Sequence, residues 1–183
     1  MARLRRTTAA IFLAAMLSTV VHSKYALPPV PAIAVRPYSA AEIEASVRQE
    51  RLDRQYKRAA AIARSVYREN GCRVDYALLT GKFAVDLGIS PRILAGLIFT
   101  ESSCRPDAES KTHDVGLMQV HYTLYREYTK DQLLDPELNM TVGCHILKGY
   151  INKYGLQEGL HHYNGLGNKT EAYATKVLLA AKM

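Results

Sequence analysis

From Val74 to the C-terminus the sequence is cut repeatedly by helix start and stop signals. Nowhere in that stretch does it alternate apolar and polar residues as a half-buried strand does. Residues 75–87 are apolar at helical spacing and stop at Gly88. Ser90 and Pro91 open the next helix, the usual cap-then-proline entry. That run, Arg-Ile-Leu-Ala-Gly-Leu-Ile-Phe-Thr-Glu, is apolar almost throughout until it reaches Glu101, and a helix without a polar face belongs inside a core. A polar loop over 105–114 follows, and a short helix is predicted from Gly116 toward Tyr128. Asp135 and Pro136 open a long helix that Gly155 ends. Residues 156–163 read as helix, Asn164-Gly-Leu-Gly breaks the chain, and Thr170-Glu-Ala-Tyr starts the last helix. No internal repeat is present. The pattern predicts an all-α domain over 71–183.

Three segments precede it. Residues 39–70 form a charged helix, opened by the capping box Ser39-Ala-Ala-Glu42 and stopped by Asn70-Gly71. Its apolar stripe, Ile43, Val47, Tyr56, Ala60, Ala63 and Tyr67, is too thin for coiled-coil heptads, so it is expected to dock along the main domain. A partner-binding arm is the alternative. Residues 24–38 are a stiff Pro-rich linker, holding four of the seven prolines between 27 and 37. Residues 1–23 read as a secretory signal: Arg3, Arg5 and Arg6 stand ahead of an uncharged run from Thr7 to Val21, with a cut after Ser23. The run falls short of the roughly 20 apolar residues of a comfortable span, although an uncleaved anchor stays open. An exported protein of the periplasm or cell envelope is expected.

The net charge of +7 loses three Arg and no acid with residues 1–23, leaving +4. Such a surface is drawn to an anionic polymer. No basic stripe interleaved with aromatics is present, so nucleic acid is not expected as a partner. Neither C-x-x-C nor H-E-x-x-H spacing occurs, and no metal or cofactor is expected. Of the three cysteines, Cys104 and Cys144 are the favoured pair because both fall in the compact domain; an odd count leaves one thiol over.

Glu101 is the most informative residue. A carboxylate at the end of a buried apolar helix is costly to ionise, and the negative end of the helix dipole adds to that cost. Both effects hold part of its population protonated near neutral pH. The plain alternative is a Glu that emerges into solvent or pairs with Arg105.

Around it stand Glu101-Ser102-Ser103-Cys104-Arg105-Pro106, then Gly116-Leu117-Met118-Gln119, then His162-Tyr163-Asn164-Gly165 and Tyr173. In order and separation these resemble the catalytic domain of soluble-type lytic transglycosylases, relatives of goose-type lysozyme. The resemblance covers roughly residues 75–179 and implies a lysozyme-like all-α domain, here preceded by the charged helix and the Pro-rich linker. It implies cleavage of peptidoglycan glycan strands, and the 12 Tyr suit a wet sugar-binding groove. Glu101 matches the catalytic acid and base, and Ser102 supports the helix end beside it. Ser110 and Thr112 match small polar residues that orient the sugar or nucleophile. Met118 and Gln119 are expected to face the cleft while Leu117 is core. Tyr163 and Asn164 match the pair that floors the cleft, and Tyr173 is a further cleft candidate. His162 departs from the pattern, which usually has Ala there, and Cys104 stands where an aromatic is common.

With a single carboxylate, the expected reaction cleaves the MurNAc-β-1,4-GlcNAc bond and closes a 1,6-anhydro ring. Asp107, Glu109 and Asp114 lie downstream. Asp114, near Gly116, is the best of them for a second carboxylate, which would make the protein a hydrolytic muramidase. The other alternative is a non-catalytic wall-binding component of a secretion or phage assembly, with residues 39–70 recruiting a partner.

Overall fold

The computed structural model describes residues 37–165 and 172–182. The expected leader over 1–23, the linker up to residue 36 and the start of the last helix at Thr170 lie outside them. The chain divides into Met1–Ala40 and Ala41–Met183, and the second unit carries the architecture that follows.

Helix α1 (Ala40–Glu69) shows its apolar stripe in two halves. Ile43 and Val47 are exposed, whereas Ala59, Ala60, Ala63, Val66 and Tyr67 are buried. The buried half is tied down by polar contacts. The Tyr67 hydroxyl shares a buried 2.7 Å hydrogen bond with Thr80 Oγ1, Tyr56 donates to Asp86 at 2.6 Å, and Asn70 Nδ2 donates to the Ala180 carbonyl at 2.9 Å. α2 (Ala77–Leu87) ends on left-handed Gly88 as its sequence predicts. α3 (Pro91–Ser102) follows, with Pro91 in its first turn. Every residue from Ile93 to Ile98 is buried, and α2 and α7 pack against it. α5 (Pro136–Tyr154) is capped by Asp135, whose Oδ1 accepts from Leu138 N at 2.8 Å. α6 (Leu156–Tyr163) lies on α5, and α7 (Ala172–Ala180) lies on α3 and α6. Leu97, Leu117, Met140, Leu147, Leu160 and Val177 join these helices in one core. The all-α class holds.

The helix predicted from Gly116 toward Tyr128 is absent. In its place Asp114–Val115 (β1) and Val120–His121 (β2) pair antiparallel, and turns lead on to the short α4 (Lys130–Leu133). The reason is backbone geometry: Gly116 (φ 78°) and Gln119 (φ 49°) are both left-handed, so the chain reverses instead of coiling. Asn139, wholly buried on α5, holds the reversal. Its Oδ1 accepts from Met118 N, and its Nδ2 donates to the carbonyls of Val115 and Leu133, each at 2.8 Å. Gly116 is required twice over, because a Cβ there would fall 2.3 Å from Asn139 Nδ2. α4 carries a signal that sequence reading passed over, a complete capping box between Thr129 and Gln132.

The favoured cysteine pair is also corrected. The disulfide joins Cys72 and Cys104, and Cys144 is a free, buried thiol. Cys144 lies midway along α5 with its Sγ 3.4 Å from Met118 Sδ, committed to the core. Cys104, in the left-handed turn after α3, meets Cys72 just beyond α1. The bridge closes a loop with a sequence separation of 32 residues. Chain-entropy arguments give such a loop about 3–4 kcal/mol of stability. Cys72→Ser is expected to lower the melting temperature, and a reductant should reproduce the shift in the parent protein but not in the variant.

Candidate active site

Glu101 occupies the last turn of α3, where the buried helix reaches the surface. The turn is clamped from behind by Ser102, whose hydroxyl lies 3.0 Å from the Ile98 carbonyl and 2.9 Å from that of Leu117. Ser102 is 4% exposed, so it supports the helix end and the hairpin, and its burial takes it out of the substrate contacts. Left-handed Ser103 then ends the helix.

Burial pushes the Glu101 carboxyl up to about 7; a hydrogen bond from Tyr173 opposes the rise, and the negative charge of Asp114 adds to it. The Tyr173 hydroxyl donates to Glu101 Oε1. Tyr173 sits on α7, only 7% exposed, and burial drives its own ionisation far above the usual phenol range. Its role is therefore more direct than that of a further cleft tyrosine. Replacing it with Phe removes a hydrogen bond that favours the Glu101 carboxylate. In Tyr173→Phe the alkaline limb of the kcat/KM profile is expected to move to higher pH.

Asp114 brings Ser110 and Thr112 together. Its Oδ2 accepts from Ser110 Oγ at 2.7 Å and from Thr112 Oγ1 at 2.6 Å. Ser110 Oγ in turn accepts from the backbone N–H of Asp114 at 3.0 Å. Both hydroxyls are thus spent on fixing this carboxylate, a second acidic group close enough to Glu101 to raise its pKa. Sequence reading named all three residues and missed their mutual bonding.

Beside Asp114 opens a cleft of about 290 Å³, walled by Gln119, His121, Tyr125, Tyr150, Tyr163 and Asn164 among others. Gln119 spends its Nε2 on the carbonyls of Gly116 (3.0 Å) and Ala108 (3.2 Å), which leaves Oε1 as an acceptor. Tyr163 donates to the Met118 carbonyl at 2.8 Å, and burial, then the Glu101 charge, raise its pKa. Asn164 is exposed on the cleft. Glu101 does not itself line the cleft; Asp114 and Tyr163, which feel its charge, do. Met118 is corrected outright. Its side chain is fully buried against Cys144 and is no cleft wall. Gly143 permits this, since a Cβ there would lie 2.7 Å from Met118 Cβ and 3.0 Å from the Tyr163 hydroxyl.

Comparison with known proteins places this geometry. The family described as the transglycosylase SLT domain matches residues 79–177, more than half of the chain, and spans Glu101, Asp114, Tyr163 and Tyr173. The chain belongs to this family. A protein named "Transglycosylase" from Enterobacteria phage PRD1 is 30% identical to this SLT domain protein over 105 residues, 54% of this chain and 40% of the phage protein. The match therefore spans well under half the length of that curated relative. No solved structure matches. α1 lies outside the SLT match and joins the domain through the buried half described above.

Proposed function

We propose that this SLT domain protein is a peptidoglycan lytic transglycosylase that cleaves the MurNAc-β-1,4-GlcNAc bond. The observation that carries the reading is the carboxyl of Glu101, whose pKa near 7 lets it hold a proton and release it at neutral pH. In the first step Glu101 protonates the glycosidic oxygen as the C1–O bond breaks. The acetamido carbonyl of the same MurNAc bonds to C1 and takes up the cationic charge. In the second, the Glu101 carboxylate removes the proton of the C6 hydroxyl while O6 attacks C1 and expels the acetamido oxygen. The product is a 1,6-anhydro ring, and Glu101 is again protonated. The attack is intramolecular, so proximity lowers its barrier. Gln119 Oε1 and Asn164 supply polar contacts for the sugar.

One observation favours a second reading. Asp114 is a fixed carboxylate that acts electrostatically on Glu101, and two carboxylates with separated roles are what a hydrolase uses. Under that reading water takes the place of O6 and the protein is a muramidase. Mass spectrometry of muropeptides from purified peptidoglycan decides: anhydro ends are expected, and reducing ends alone would assign hydrolysis. Under either reading kcat/KM falls as pH rises through about 7, because the general acid then loses its proton.

Export to the periplasm or cell envelope belongs to the same proposal. The basic-then-apolar leader in the sequence supports it, and so does a structural disulfide, which persists in oxidising compartments.

A further inference from the structure

Tyr154 of α5 and His162 of α6 stack face to face, with ring centroids 3.9 Å apart and planes 18° from parallel. Tyr150, one helical turn before Tyr154, lies 5.6 Å from His162 at 21° and 6.4 Å from Tyr154. These three separations make a nearly right-angled triangle with its corner at His162. Rings stacked at 3.9 Å put Tyr154 over one face of the imidazole. Tyr150 therefore flanks the imidazole and does not lie over the face opposite Tyr154. His162 and Tyr150, with planes 21° from parallel, form an aromatic strip, and Tyr154 backs the imidazole. The Lys153 ammonium, 4.9 Å from the Tyr154 centroid, adds a cation–π contact to that backing ring. His162 and Tyr150 line the cleft and Tyr154 does not, so the open side of the strip is the cleft side.

We propose that this strip is a sugar-stacking platform on which a pyranose ring of the glycan lays its axial C–H face across His162 and Tyr150. The proposal rests on the glycan-cleaving reading above. An aromatic face offers flat apolar surface to those C–H groups, while the equatorial hydroxyls stay free for polar neighbours such as Asn164 at the same cleft. A preformed strip loses little side-chain freedom on binding, because His162 is already held by Tyr154. The platform is thereby a determinant of which glycans the cleft holds.

The test is binding in the Glu101→Gln background, where cleavage does not intervene, using pelleting with insoluble peptidoglycan and competition by an N-acetylglucosamine tetramer. Adding His162→Ala or Tyr150→Ala is expected to weaken binding about tenfold, and adding His162→Phe should hold it within about twofold. The tetramer should compete, and free stem peptide should not. Binding unchanged by His162→Ala, weakened as much by His162→Phe as by Ala, displaced by stem peptide alone, or absent from the start would overturn the platform. The two proposals fail separately. A parent protein that cleaves nothing, with ring-dependent binding intact, sinks only the enzymatic reading; active cleavage with binding indifferent to His162 sinks only the platform.

Discussion

Glu101→Gln is expected to cut glycan cleavage by about 10³-fold or more, because one group serves both as acid and as base and a positioned proton donor alone contributes about 10²–10⁴. Zymography in peptidoglycan gels should show clearing by the parent and none by the variant. No clearing by either would move the protein to a non-catalytic wall-binding role. The same substitution has a stability signature. The carboxyl titrates at about 7 in the folded chain against an ordinary value of 4.5, so the native state binds the extra proton between those pH values. The contribution of Glu101 to stability is thus full below pH 4.5 and lost as pH rises through 7. Gln carries no such titration. Thermal melts should show the variant matching the parent on the acid side of this window and exceeding it on the alkaline side, active or not.

The largest loss of stability is expected at Asn139. Its side chain makes three hydrogen bonds to backbone groups of the hairpin and of α4, in a place with no access to water. Asn139→Ala strands one N–H and two carbonyls at once, at a cost of about 3–5 kcal/mol. For a chain of this size that is a drop on the order of 10 °C in melting temperature. Asn139→Leu fills the volume and leaves the same three groups unpaired, so it should do no better. Asn139→Asp keeps the acceptor for Met118 N but aims its second oxygen at two carbonyls, so it should recover little of the loss. Cleavage should fail along with stability, since Met118 supplies the carbonyl that anchors Tyr163. A melting temperature unchanged in Asn139→Ala would mean that the hairpin is held by something else.

The sequence reading succeeded where local chemistry and tertiary demand agree. An uninterrupted apolar run ending in Glu can only be a core helix with its last turn at the surface, and α3 is that helix. Asp135-Pro136 and Gly88 are punctuation with one meaning, and both act as expected. The hairpin was missed because its decisive residue, Gln119, adopts a left-handed backbone that no side-chain preference announces; the contacts of Asn139, twenty residues away, impose it. The cysteine pairing failed for the same reason, since nothing in the spacing says that Cys144 faces Met118. Ser110, Thr112 and Asp114 were each noticed, but their bonding depends on a loop shape that composition does not encode. His162 was noted only as a departure from pattern, and its meaning emerges when α5 sets Tyr150 and Tyr154 around it.

The hydroxyl that meets Glu101 comes from a residue 72 positions further along the chain. A polypeptide still being made, or one clipped ahead of α7, already carries the acid but not its partner, nor the helix that closes the core over α3. The surroundings that set the proton affinity of Glu101 are thereby complete only once the last helix is in place.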